Sequence, residues 1–343
     1  MSRWKSVLTG ALMASFAVAG TGVARADSVA DFYHGKTINL EIGYSVGGAY
    51  DMYARLLARY MGNHIPGNPT IVPQNMPGAG SLKAATYIYS MAPKDGLTIG
   101  TFGRTMMVEP LLGAGHFDAR KYTWLGSMDS DVALCITWKT SKVKDFADLT
   151  TIPSRFAGQG AGSDPDVGVQ VLTHLFNAKT QLVSGYPGSN EGDLAMERGE
   201  VDGECGVSWS TMLLMHRDWM KAKDINYVAQ LALEKHPALP NVPLLQDETT
   251  NPEAKEILNL IAASQAIARP FVAPPDIPAD RAAALQKAFA DTLQDPAFLA
   301  EAKKLRAEIR YVSPAQIQPI LNDAYKASPD LIAKAKDAVG GSM

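Results

Sequence analysis

The chain has 343 residues, with 32 Lys and Arg against 35 Asp and Glu, a formal charge of −3, two cysteines and six histidines. This mildly acidic balance excludes a nucleic-acid binder and a polybasic membrane patch. The length exceeds what one hydrophobic core usually fills, so two domains are expected.

The first 26 residues stand apart. Arg3 and Lys5 precede the small-residue apolar run "SVLTGALMASFAVAGTGV", and Ala24-Arg25-Ala26 supplies an A-x-A cleavage pattern ahead of Asp27. Residues 1–26 therefore read as a secretory signal peptide, and losing its three cations takes the charge to about −6. No cysteine follows the apolar run, so a lipid anchor is not expected. No later segment is apolar enough to span a bilayer.

Beyond the leader, β-rich runs alternate with helical runs through glycine-rich joints. "TINLEIG" leads through "YSVGGAY" into "DMYARLLARYM", where Met52, Leu56 and Tyr60 share a helical face. "PTIVPQ" leads through "NMPGAG" into "SLKAATYIYSM", and "PKDGLTIGTF" gives a turn and a strand ending at "GRTMM". After "KVKDFADL" a second series begins. "SRFAGQGAGSDPDVGVQVLTHLF" runs from strand to helix, with Val167, Val171 and Leu175 on one face, Asp164 as N-cap and Pro165 at the first helical position. "QLVSG" passes through "YPGSNEG" into "DLAMERG", where Gly199 fits a C-cap before the strand "EVDGECGVSW". From about residue 266 the proline-rich "ARPFVAPPDIP" precedes three helical stretches, 279–294, 297–308 and 314–337, expected to clasp a formed sheet. The alternation is that of a parallel α/β sheet.

In such sheets ligands bind at the carboxyl ends of strands, where helix N-termini offer unpaired N–H groups and partial positive charge. Four joints here have the small residues for it: 43–51, 75–81, 159–166 and 185–191. None matches a phosphate cradle, since G-x-x-x-x-G-K-[ST] and G-x-G-x-x-G are both missing and the joints are poor in Lys and Arg. Arg104 in "FGRTMM" would add a fixed positive charge near the strand ends, unless it faces solvent. Asp51 is expected to cap its helix and pair with Arg55 one turn on.

Catalytic alternatives are weaker. Gly43-Tyr44-Ser45-Val46-Gly47 spells G-x-S-x-G, the nucleophile elbow of serine hydrolases. Ser45, however, lies on the first strand of the mature chain, and the only formal triad histidines, His216 and His236, have no motif around them. Paired acids such as Glu191 with Asp193, or Asp164 with Asp166, fit ordinary capping at helix starts. The histidines never fall at ligand spacing and no C-x-x-C occurs, so neither a metal nor a cofactor is expected. Cys135 and Cys205 form either one disulfide, worth about 3–4 kcal/mol, or two buried thiols in neighbouring strands.

Taken in order, these segments resemble the periplasmic solute-binding proteins of tripartite tricarboxylate transporters, the TctC or Bug family. "GYSVGGAYDMYAR" resembles the family's first glycine loop, "QNMPGAGSLKAA" its second, "MAPKDGLTIG" its A-x-DGYT turn, and "LPNVPLL" its LP-x-VPT stretch. "FVAPPDIPADRAAALQKAFADTLQDPAFLAEAKKL" resembles its C-terminal helices. The resemblance implies a type II periplasmic binding-protein fold, two doubly wound α/β lobes joined by crossing strands that close like a flytrap. Lobe one would hold 27–132 plus 239–343 and lobe two 133–238, with the cysteines on strands near the hinge, where a disulfide is worth testing.

It also implies a non-enzymatic, monomeric receptor that holds a small organic acid and delivers it to integral-membrane permease subunits. Carried over by position, lobe one would contact the acid through Tyr44, Val46, Gly47, Gly48, Ala49 and Asp51, and through Pro77, Gly78, Ala79 and Gly80. Lobe two would offer Gly162, Ser163 and Asp164, then Tyr186, Gly188, Ser189 and Asn190, with Ser208 and Trp209 near the crossing strand. Three segments depart from the family pattern: Gly185-Tyr186-Pro187-Gly188 lacks the lysine of "PYKG", "GAGSDPDV" replaces "GS-x-G-x-x-x-H", and "EVDGECG" replaces "QVDLMF". Loss of the lysine and gain of Asp164 argue for a mono- or dicarboxylate, with an aromatic or polar body beside Trp209 or Tyr186. A sensor that signals to a membrane kinase would use the same fold.

Overall fold

The computed structural model describes Met1 and residues 29–341. The leader and its cleavage point lie outside the described residues. The first part of the chain forms α1 (Val29–Tyr33), β1 (Thr37–Ile42), α2 (Ala49–Met61), β2 (Thr70–Asn75), α3 (Leu82–Ser90), β3 (Thr98–Thr101), α4 (Glu109–Leu112) and β4 (Thr123–Ser127). The middle forms β5 (Ala133–Trp138), β6 (Ser154–Ala157), α5 (Asp164–Phe176), β7 (Thr180–Val183), α6 (Ser189–Glu197), β8 (Gly203–Ser208), α7 (Trp209–Met215), α8 (Arg217–Ala222) and β9 (Ile225–Leu231). The chain then returns through α9 (Pro252–Ala262) and β10 (Pro270–Ala273) to α10 (Ala279–Thr292), α11 (Pro296–Leu305), α12 (Pro314–Ala324) and α13 (Pro329–Ala338).

Among the described residues the strands form two five-stranded sheets, ordered β2-β1-β3-β10-β4 and β7-β6-β8-β5-β9. Each is mixed where the sequence pattern reads as parallel. Four strands run in one direction, and a single antiparallel strand, β10 in the first sheet and β5 in the second, is inserted next to the last. The two sheets thus repeat one topology. The inserted β10 hides within "ARPFVAPPDIP", where the prolines disguise a strand of four fully buried residues.

Local chemistry explains most boundaries. Ser163, not Asp164, caps α5 by accepting the Asp166 N–H, which moves Pro165 to the second helical position. Gly199 follows α6 with φ of 73°, the left-handed conformation that glycine adopts without strain. The stretch 314–337 is two helices, because Ser328 caps the Leu331 N–H and Pro329 opens a new first turn. On α2 the core-facing residues are Tyr53, Leu56, Leu57 and Met61, while Met52 and Tyr60 flank that stripe half-buried.

The C-terminal helices serve both sheets. Leu285, Phe289 and Phe298 pack with Leu40, Ile42 and Phe271 of the first sheet, each fully buried ring contributing about 1.5–3 kcal/mol. Ala335 and Ala338 of α13 join Ile257 and Ile261 of α9 in one core with Val167, Val171 and Leu172 of α5. Among the described residues no helix is long and apolar enough to cross a membrane.

Candidate functional site

The carboxyl ends of the two sheets face each other, and a partly open cavity of ≈ 50 Å³ lies between them. Tyr44, Gly48, Ala49 and Arg104 reach it from the first sheet, and Asp164, Ser189 and Ser208 from the second. Its size is far below the roughly 300–1,000 Å³ of typical small-molecule sites, so the two halves stand closed and must part to admit a ligand. A neighbouring, more open cavity of ≈ 360 Å³ is lined by Tyr44, Pro77, Gly78, Ala79, Gly80 and Tyr186.

Two helices aim their N-termini at the smaller cavity. α2 follows Gly48 and α6 follows Gly188, and neither N-cap residue makes a side-chain cap. Backbone N–H groups at such ends are unpaired within the helix and carry partial positive charge. The two ends nearly touch, since a Cβ on Gly48 would lie 3.0 Å from Ser189 Oγ. Gly47, with φ of 90°, turns the chain sharply enough to bring this end inward. The Asp51 carboxylate is directed elsewhere. It accepts the Gly47 N–H at 2.9 Å, pairs with Arg55 at 2.9 Å and accepts from Asn75 at 2.8 Å. Burial opposes its ionisation, but these partners hold its pKa below the usual carboxylate range.

Arg104 is buried, with 1% of its surface exposed, and bridges the two halves. Its Nε donates to Asp164 Oδ1 at 2.6 Å, Nη1 to Ser208 Oγ at 2.8 Å and Nη2 to the Gly206 carbonyl at 3.0 Å. Burial alone would lower its pKa, but Asp164, Tyr50 and Asp131 raise it, so the guanidinium stays charged. The cation read from "FGRTMM" is therefore present at the strand ends, and Asp164 already answers it.

The loops also meet backbone to backbone. Gly80 N–H donates to the Gln159 carbonyl at 3.1 Å and Ser45 N–H to the Pro187 carbonyl at 3.3 Å, and the Thr105 side chain adds a bond from Oγ1 to the Gly162 carbonyl at 2.5 Å. Asn190 Nδ2 donates to the Val46 carbonyl at 3.2 Å, while the Val46 side chain is 64% exposed. Ser163 is fully buried as a helix cap, and Gly162 lies against Glu109 beside a separate small cavity. Trp209 packs against Tyr227 and His236 and does not line the smaller cavity.

Several lining residues go beyond those read from the loops: Tyr50, Gln159, Asp193, Glu204, His216 and Arg269. Arg269 donates to Ser210 and Thr211 and stacks over Tyr50 and Tyr53. Glu204 is 3% exposed, and its Oε2 has no hydrogen-bond partner. Burial, with Asp193 and Asp166 alongside, pushes the Glu204 pKa well above the usual range. Asp166 itself is tied down by the Gln159 and Gly160 N–H groups, Ser163 and Ser184. Signals for these residues existed: Glu204 stands in the divergent "EVDGECG", and the acids at 191–193 look like capping residues.

The G-x-S-x-G serine lacks a base of the hydrolase kind. Ser45 Oγ donates to Glu191 Oε2 at 3.1 Å, while His216 stacks on Trp219 and His236 lies against Trp209. Cys135 on β5 and Cys205 on β8 are joined by a disulfide between paired antiparallel strands. Among the described residues no group of three or more His, Cys, Asp or Glu could hold a metal ion.

No protein-family model matches the chain. A curated protein of Cupriavidus necator, "UPF0065 protein in gbd 5'region", is 36% identical over 99 residues, which is 29% of this chain and 29% of that protein's length. Among solved structures, the periplasmic binding protein BugD superposes with a TM-score of 0.71 at 19% identity, over 88% of this chain and 97% of its own. MatC from Rhodopseudomonas palustris, solved with bound malate, gives 0.68 at 19% identity, over 89% and 99%. The chain thus has the two-lobed α/β fold of these periplasmic binding proteins, and the resemblance to the TctC or Bug family holds in its structural neighbours.

Proposed function

We propose that the protein is a periplasmic solute-binding protein of the TctC or Bug type that closes two lobes on a small organic carboxylate and delivers it to membrane permease subunits, without catalysis. Lobe one is assigned 27–132 with the return through β10 to α12, and lobe two 133–238 with α9 and α13, which share a core with α5. The observation that carries this reading is the pair of uncapped helix N-termini at Gly48–Ala49 and Gly188–Ser189, one from each half, converging on one cavity. Each helix end favours an anion by about 0.3–1 kcal/mol, more when partly buried. MatC, with its bound malate, lends the carboxylate class support by analogy of fold. Arg104, already neutralised by Asp164, argues for a ligand of low charge.

Closure links capture to delivery. Bonds such as Arg104–Asp164 and Gly80–Gln159 form only when the halves meet, so a ligand that bridges both helix ends favours the same state. A permease that recognises surfaces of both lobes in register would read that state. The test is a thermal-shift panel of C2 to C8 mono- and dicarboxylates, run beside an ester-hydrolysis assay. A shift with at least one acid and no ester turnover is expected. Ester turnover without any shift would overturn the reading.

A further inference from the structure

One wall of the smaller cavity is unsuited to a plain carboxylate. Glu204 on β8, Asp193 on α6 and His216 after α7 all line it, on the side of the second sheet. All three are more than nine-tenths buried. Glu204 Oε2 and His216 Nε2 have no hydrogen-bond partner. His216 Nε2 lies 3.2 Å from Asp193 Oδ2, an ion-pair distance whose angle falls short of a hydrogen bond. Glu204 Oε1 accepts a long hydrogen bond from Gln159 Nε2 at 3.4 Å.

The two guanidinium groups that share the cavity do not serve this wall. Arg104 spends its donors on Asp164, Ser208 and Gly206, while Arg269 donates to Ser210 and Thr211 through Nη2 and keeps a buried Nε without a partner. Acceptors are therefore in surplus on the wall formed by Glu204, Asp193 and His216, while the helix N-termini at Gly48 and Ser189 and the free Arg269 Nε contribute donors to the same cavity. Buried acceptors without donors are costly, and a buried acid without a cation takes up a proton instead. Burial and the nearby Asp193 and Asp166 do hold Glu204 toward its protonated form. The same two charges would repel a second carboxylate placed there and attract an ammonium group.

Building on the carboxylate reading above, we infer that the ligand is a small amino-carboxylate, its carboxylate held at the helix N-termini of Gly48 and Ser189 and its basic nitrogen received by Glu204, Asp193 and His216. Binding then exchanges the Glu204 proton for the ligand's ammonium group, so proton release accompanies capture. No bond is made or broken in the ligand.

Matched pairs test this by isothermal titration calorimetry on the mature protein: propanoate against β-alanine, butanoate against 4-aminobutanoate, and pentanoate against 5-aminopentanoate. A charge-assisted hydrogen bond to a buried acid predicts that the amino member of at least one pair binds about 10- to 100-fold tighter. In Glu204→Gln that ratio should collapse to within about 3-fold. Titration in two buffers of different ionisation enthalpy checks the wild type independently, with protons released on binding. Plain acids binding as tightly as their amino partners would overturn the inference and leave the carboxylate reading standing. Failure of both members of every pair, together with no response across the wider acid panel, would overturn both.

Discussion

Replacing Arg104 by Met removes the donor of three bonds that tie the first sheet to the second. Arg104 is 1% exposed and Asp164 8%, so the substitution leaves a buried carboxylate whose remaining side-chain partner is Gln265 Nε2 at 3.4 Å. Breaking one side of a buried ion pair costs about 3–5 kcal/mol, most of it the penalty on the charge left behind. Arg104→Met should therefore lose about 3–5 kcal/mol in urea unfolding at pH 7. Adding Asp164→Asn removes the stranded charge and should return at least about 2 kcal/mol in a double-mutant cycle. A loss below about 1 kcal/mol, or no recovery in the double variant, would refute the claim that this pair is a buried bridge between the halves.

Three further outcomes follow from named contacts. Gly80→Ala places a Cβ 2.7 Å from Ser163 Cβ and 2.9 Å from the Ser163 backbone nitrogen across the cleft. It should weaken affinity for any acid found at least about 10-fold, measured by calorimetry, and enlarge the protein in small-angle scattering, because the loops can no longer meet. Ser45→Ala should change affinity less than about 5-fold, since it removes only the bond to Glu191, and a larger effect would return the serine to the centre of the site. Glu109 is 5% exposed, and burial pushes its pKa from 4.5 up to about 7. Its contribution is fully present below about pH 4.5 and is lost as pH rises through about 7, so Glu109→Gln should flatten stability over that window. At pH 8 the variant should exceed the wild type by about 2–3 kcal/mol; equal pH profiles would contradict it.

The glycine joints were legible because a strand, a turn and a helix N-terminus each leave local marks. Gly47, Gly48 and Ser189 follow from those marks and line or border the cavity. What escaped reading depends on contacts far apart in sequence. Arg104 and Asp164 were both read as candidate site residues, but nothing local shows that they neutralise each other across 60 residues of sequence. Glu204 looks like one residue of an irregular strand until the fold buries it against α6 and α5. β10 escaped because its prolines mask a strand whose hydrogen bonds come from β3 and β4, more than 140 residues earlier. Local chemistry sets caps and turns, whereas burial and long-range pairing decide which charges are free to meet a ligand.

The most direct measurement is mass spectrometry of small molecules released when the freshly purified protein is denatured. The account predicts about one equivalent of a single small organic acid, and the same acid should raise the melting temperature of the stripped protein. Release of no acid, with no melting shift from any acid tested, would contradict it.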